Sequence, residues 1–190
     1  MRLQNITSVR TLPVALLALL VVAGLTVSVP VRASDRNDSK ATHVGLSEEI
    51  RHQLVMLPYF GVFDNLEFEI QDNNSVVLSG EVTRPILKSA AENSVRRLTG
   101  VGKIVDNIEV LPLSPFDDRI RVAEYRAIFS NGRLDRYVLR AVPPIHIVVK
   151  NGRVTLVGVV ASQSDKNIAG IVANQVPGVF NVTNDLTVEK

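Results

Sequence analysis

Ten residues between positions 119 and 140 carry the strongest chemical signal in the chain: Arg119, Arg121, Val122, Tyr125, Arg126, Phe129, Arg133, Arg136, Tyr137 and Arg140. Guanidinium forks grip phosphate oxygens, and rings placed beside them rest at the level of lipid headgroups. At about 100° per residue, Val122, Tyr125 and Phe129 share one side of a helix over residues 117–129. Arg119 and Arg126 flank them on one edge and Arg121 on the other. Ile120, Ala123, Ala127 and Ile128 fall on the opposite side, a core stripe. Two readings follow. The second stripe meets an anionic phospholipid surface or another partner, or it packs on a different part of the same chain whose acids pair with the arginines.

Other chemistries lack their parts. A hydrolase needs a nucleophile, a base and an oxyanion donor within reach, and no such set recurs, so no catalytic residue is assigned. Gly100-Val101-Gly102 closes a helix rather than opening one, which excludes a phosphate loop. Three histidines are scattered, with His43 ahead of the first helix, His52 on its exposed side and His146 on the outward face of a strand. They read as solvated surface residues, with no metal site and no cofactor. The basic side chains have no aromatic platform on the strands, which argues against nucleic acid.

The elements that must position the arginines come from a duplication. Residues 76–110 lie without a gap on residues 154–188 at an offset of 78. Val76 falls on Val154, Leu78 on Leu156, Gly80 on Gly158, Lys88 on Lys166, Gly100 on Gly178 and Val110 on Val188. An ungapped register of this length marks one small unit repeated. The shared positions are almost all apolar or glycine, so what was preserved is packing. Lys88 and Lys166 are the one charged identity and read as solvated.

Each unit predicts helix, strand, strand, helix, strand. In the first, Ser47 caps a helix carrying Ile50, Leu54 and Leu57. Leu66, Phe68 and Ile70 alternate with Glu67, Glu69 and Gln71 as a half-buried strand, and residues 76–82 return. Pro85 opens a helix that runs towards Gly100, and residues 104–110 form the third strand. In the second unit, residues 117–129 are helical and residues 130–143 make a longer excursion. Residues 145–149 form a strand, and Asn151-Gly152 is a type I′ hairpin signal. Ser164 caps a helix ending at Gly178, and residues 182–188 close the unit. The fold class is α+β, two tandem αββαβ sandwiches, each a three-stranded mixed sheet with both helices on one face. The units span residues 46–111 and 117–190, joined by a stiff proline-containing linker, 112–116, after a disordered lead-in over 34–45.

The first 33 residues hold arginines at 2, 10 and 32, no acid, and an apolar run over 12–29 ending in Val31-Arg32-Ala33. That pattern is expected of a secretory signal peptide cut after Ala33, giving a periplasmic or secreted protein. The alternative is an uncleaved membrane anchor. Without those residues the chain carries 18 bases and 19 acids, so the basic precursor says nothing about nucleic acid. The charge is divided, at net −4 over 34–111 and net +3 over 112–190, which either favours contact between the copies or lets only the second approach an anionic surface. Cysteine is absent, so packing of one copy on the other must supply what no disulfide can.

Val76-Val77-Leu78-Ser79-Gly80 and Val154-Thr155-Leu156-Val157-Gly158, with Gly100-Val101 before Ile104 and Gly178-Val179 before Val182 and Asn184, resemble the BON domain family. The resemblance covers residues 46–190, with Asp106 in the first copy where the second has Asn184. It implies a non-catalytic module associated with phospholipid membranes, in some members an envelope- or osmotic-stress protein, with Gly80, Gly100, Gly158, Gly178 and Asn184 as structural positions. Lacking cysteine, the chain lacks the lipid anchor of the family's lipoproteins. The expected partner is envelope phospholipid, with an envelope protein or scaffold contact as the alternative.

Overall fold

The computed structural model describes residues 35–189, and Ser34–Lys190 form one compact unit. The signal-peptide expectation falls on residues 1–33, outside the described residues. Helix α1 (Asp35–Val55) is followed by strands β1 (Asn65–Ile70) and β2 (Val76–Val82), helix α2 (Pro85–Arg96) and the short strands β3 (Ile104–Asp106) and β4 (Glu109–Val110). Helix α3 (Pro115–Phe129) then opens the second copy, with β5 (Ile145–Lys150), β6 (Arg153–Val160), α4 (Gln163–Asn174) and β7 (Asn181–Val188). The two copies keep separate sheets, ordered β1-β2-β3 with β4 also on β2, and β5-β6-β7. The first pair in each sheet is antiparallel and the last is parallel.

Alternation sets the registers. Leu66 lies opposite Gly80, Phe68 opposite Leu78 and Ile70 opposite Val76, so one face of the hairpin is apolar and meets the helices. Gly80 and Gly158 show why the repeat keeps glycine. Both have positive φ, 109° and 123°, and a Cβ there would lie 2.3 Å from the Asn65 carbonyl oxygen and 1.9 Å from that of Pro144. No side chain fits at either position. Asn151 and Gly152 both take positive φ, as the expected hairpin turn requires.

Three local expectations change. The first helix begins at Asp35 rather than at Ser47, the polar lead-in continuing it through Gly45 with no proline to stop it. The last helix is capped by Ser162, whose Oγ accepts from the Asp165 amide at 3.2 Å, rather than by Ser164. The third strand of the first copy is interrupted. Pairing lapses between Asp106 and Glu109 and resumes in β4, whereas β7 runs unbroken along β6. In both copies the residue two further on, Ile108 or Leu186, is buried and donates its amide to the side chain of Asp106 or Asn184.

Each copy has its own core. Ile50, Leu54, Val76, Leu78, Leu87 and Val95 centre the first. Ile120, Ile128, Ile145, Ile147, Leu156 and Leu186 centre the second, with Val62 and Phe63 of the first copy packed against it. The loop between α1 and β1 therefore belongs to both cores. Ile147 donates its amide to the Val62 carbonyl at 2.7 Å, and the exposed Lys150 and Glu109 pair at 2.6 Å.

Candidate functional site

Helix α3 carries most of the candidate side chains, and its seating decides which of them reach solvent. Ser114 caps it by accepting from the Asp117 amide at 3.2 Å, with Pro115 in the first turn. The buried Asp117 carboxylate then takes two amides of the β5–β6 turn, Asn151 at 2.9 Å and Gly152 at 2.8 Å. So held, the helix turns Asp117, Ile120, Arg121, Glu124 and Ile128 inward.

This is not the stripe expected from the sequence. Ala123 and Ala127 are half-buried and line a groove with Val172 of α4 and Val176 just after it. Small side chains suit the place where two helices lie side by side, and the longer ones reach the sheet. Arg121, expected on an exposed edge, is 5% exposed. Its Nη2 donates to the Val149 carbonyl at 2.7 Å, and its Nη1 pairs with Asp118.

The aromatic part of the second stripe is taken up by the chain itself. The Tyr125 and Phe129 rings lie 4.9 Å apart, and Phe63 of the first copy meets Tyr125 edge-on at 6.2 Å. Phe129 is buried. Tyr137 is buried too, its hydroxyl donating to Asp165 at 2.9 Å and accepting from the Ala161 amide at 2.8 Å. Arg136 pairs with the same Asp165. Burial alone would raise the Asp165 carboxyl, but Ser162, Tyr137 and Arg136 together hold it below the ordinary range. Arg136 and Tyr137 thus stitch the long excursion to α4.

Four arginines remain. Arg119, Arg126, Arg133 and Arg140 are exposed, and among the described residues none forms a salt bridge. Arg119 and Arg126 stand on the outer face of α3 with Val122, which is 43% exposed. The Arg119 guanidinium lies 5.9 Å above the Phe116 ring.

Two buried groups escaped sequence reasoning. Glu124 is fully buried, neither of its oxygens has a hydrogen-bond partner, and burial pushes its pKa up to about 8. The signal was available: Glu124 lies four residues from both Ile120 and Ile128, inside the core stripe. His146 is not solvated as expected. Its ring lies 5.5 Å from that of Phe60 in the first copy, and burial lowers its pKa. His52 is exposed and His43 half-buried on α1. Among the described residues no group of histidines and acids is arranged to hold a metal.

Lys88 does more than face water. Its Nζ donates to the Ile108 carbonyl at 2.6 Å and lies 3.7 Å from Asp106. In the second copy Asn184 replaces that acid and donates to the Lys166 carbonyl at 2.7 Å. In both copies, then, this position ties the last strand to the preceding helix. Gly100 and Gly178 both take positive φ after their helices, 89° and 92°.

A family model described as the BON domain matches residues 44–112 and 131–190, more than half of the chain. The chain belongs to the BON domain family. BON domains are binding modules, often linked to membrane phospholipid or to the cell envelope. None of the curated proteins compared with this BON tandem matches it significantly. Two solved structures of the type III secretion protein CdsD of Chlamydia trachomatis are similar to it. The C-terminal domain is 14% identical, covering 77% of this chain and 98% of that one, with a TM-score of 0.27. The other is also 14% identical, covering 76% and 92%, again with a TM-score of 0.27. Among the described residues no helix is long and apolar enough to cross a membrane.

Proposed function

We propose that this BON tandem is a non-catalytic, exported module that adheres to anionic phospholipid of the cell envelope, acting in periplasmic or secreted envelope and osmotic stress protection. Its contact is the outer face of α3, with Arg119, Val122 and Arg126, extended by Arg133 and Arg140 of the following loop. One observation carries this reading. The fold uses Arg121 and Arg136 internally, yet leaves Arg119 and Arg126 exposed, outside any salt bridge among the described residues, and beside an exposed valine. Each cation near an anionic surface contributes about 1 kcal/mol.

Co-sedimentation of Ser34–Lys190 with phosphatidylglycerol vesicles tests it. Binding is expected to fade as salt rises from about 0.05 to about 0.5 M, because screening shortens the reach of the arginines. Arg119→Glu combined with Arg126→Glu should weaken binding roughly tenfold or more; unchanged binding would clear the helix of this role. A second reading, a protein-interaction module of the envelope, draws support from Tyr125 and Phe129, which already serve a protein contact through Phe63. An apolar protein contact would persist at high salt.

A further inference from the structure

At the end of the second copy where α3 begins, two phenylalanine rings project into solvent. Phe180, in the loop between α4 and β7, is 77% exposed, and Phe116, in the first turn of α3, is 39% exposed. Their ring centroids are 6.3 Å apart. Leu113, just ahead of the helix, is 96% exposed.

The rings stand on a fixed base. The Phe180 amide donates to the Gly152 carbonyl at 2.9 Å, and Asp117 holds the amides of Asn151 and Gly152. A Cβ at Gly152 would lie 2.4 Å from the Phe180 ring, and one at Gly178 would lie 3.4 Å from that of Phe116. Three segments are locked together beneath exposed apolar side chains.

The fold does not require those side chains. At the repeat offset, Phe180 corresponds to Gly102. That glycine makes the same backbone bond, donating to the Asn74 carbonyl at 2.8 Å, and a Cβ on it would lie 2.7 Å from the Asn73 carbonyl oxygen. The first copy makes the equivalent backbone bond, against a more closely approaching turn, with no side chain at all. A ring left mostly in water adds little to folding, so Phe180 is explained by something outside the chain.

We propose that Phe180, with Phe116 and Leu113, is a wedge that enters the acyl boundary of a lipid bilayer while Arg119 engages headgroup phosphate. The proposal rests on the phospholipid reading above and adds the inserting element that reading lacks. A bilayer is the occupant because the tip is narrow and collared by a guanidinium. Three side chains expose at most a few hundred Å², against about 800 Å² per partner in a standard protein interface. A fluid lipid surface closes around such a tip.

The chain contains no tryptophan, so Phe180→Trp in Ser34–Lys190 places a single indole at the tip. With vesicles of equimolar phosphatidylcholine and phosphatidylglycerol, its emission should shift to the blue and be quenched by brominated acyl chains. Phe180→Gly, the residue the first copy places there, should lower vesicle affinity about tenfold with an unchanged thermal melt. Vesicle binding with an unmoved indole and a neutral Phe180→Gly would overturn the wedge and leave the arginine face standing. Absence of vesicle binding by the unsubstituted protein would overturn both. A blue shift without vesicles that grows with protein concentration would also overturn the wedge, since a second copy would then cover the tip.

Discussion

The amide of Ile147 donates to the carbonyl of Val62 at 2.7 Å, so an irregular loop of the first copy satisfies the edge strand of the second. Around this bond Phe63 reaches Tyr125 and Phe60 reaches His146. An edge strand with open backbone groups invites unwanted pairing, and here the sister domain covers part of it. The two cores are therefore coupled through apolar contact rather than held only by their linker.

Phe63→Ala should cost about 1–2 kcal/mol, since its ring is half-buried between the copies. Denaturant unfolding should also change character, from one cooperative transition to two as the copies melt separately. Circular dichroism followed across the urea range reads both effects.

The Lys150–Glu109 pair should matter far less. Both side chains are about half exposed, 42% and 49%, and exposed pairs contribute under about 1 kcal/mol. A double-mutant cycle on Lys150→Ala and Glu109→Ala should give a coupling below about 0.5 kcal/mol.

Glu124 sets a slope on stability against pH. Its carboxyl titrates near 8 when folded, against 4.5 ordinarily. The folded chain therefore holds a proton that the unfolded chain releases, and stability falls as pH rises from about 4.5 to about 8. Glu124→Gln keeps the shape without the charge and should remove that slope. Its melting temperature should exceed that of the unsubstituted protein at pH 8.5 by the equivalent of roughly 2–4 kcal/mol, with the difference closing near pH 5.

His146 acts in the opposite sense. Burial between the copies lowers its pKa from 6.5, partly offset by Asp64 nearby. The unfolded chain takes up the proton first, so stability is present above pH 6.5 and declines as pH falls below it. An NMR titration should place the His146 midpoint below 6.5, and His146→Phe should flatten the acid limb of a stability profile.

Much of this was legible in the sequence because duplication exposes what packing needs. The offset of 78 marked Gly80 and Gly158 as positions to be kept, and the structure shows the carbonyl oxygens that forbid a Cβ there. Strand alternation placed Leu66, Phe68 and Ile70 on the core side. The site was harder. Helical spacing put Val122, Tyr125 and Phe129 together, but two of these three are covered by the chain itself.

What the sequence determined by itself, then, was the repeated unit, its order of elements and its glycines, because these follow from spacing and from the room a Cβ takes. Only the tertiary structure decided how far α3 is rotated, and with it which arginines work inside and which remain outside. Periodicity defines a helix face but not its neighbour. The rotation was settled by contacts remote in the chain, Asp117 on the Gly152 turn and Phe63 on Tyr125, and the same seating placed Arg121 and Glu124 inside while leaving Arg119 and Arg126 in water.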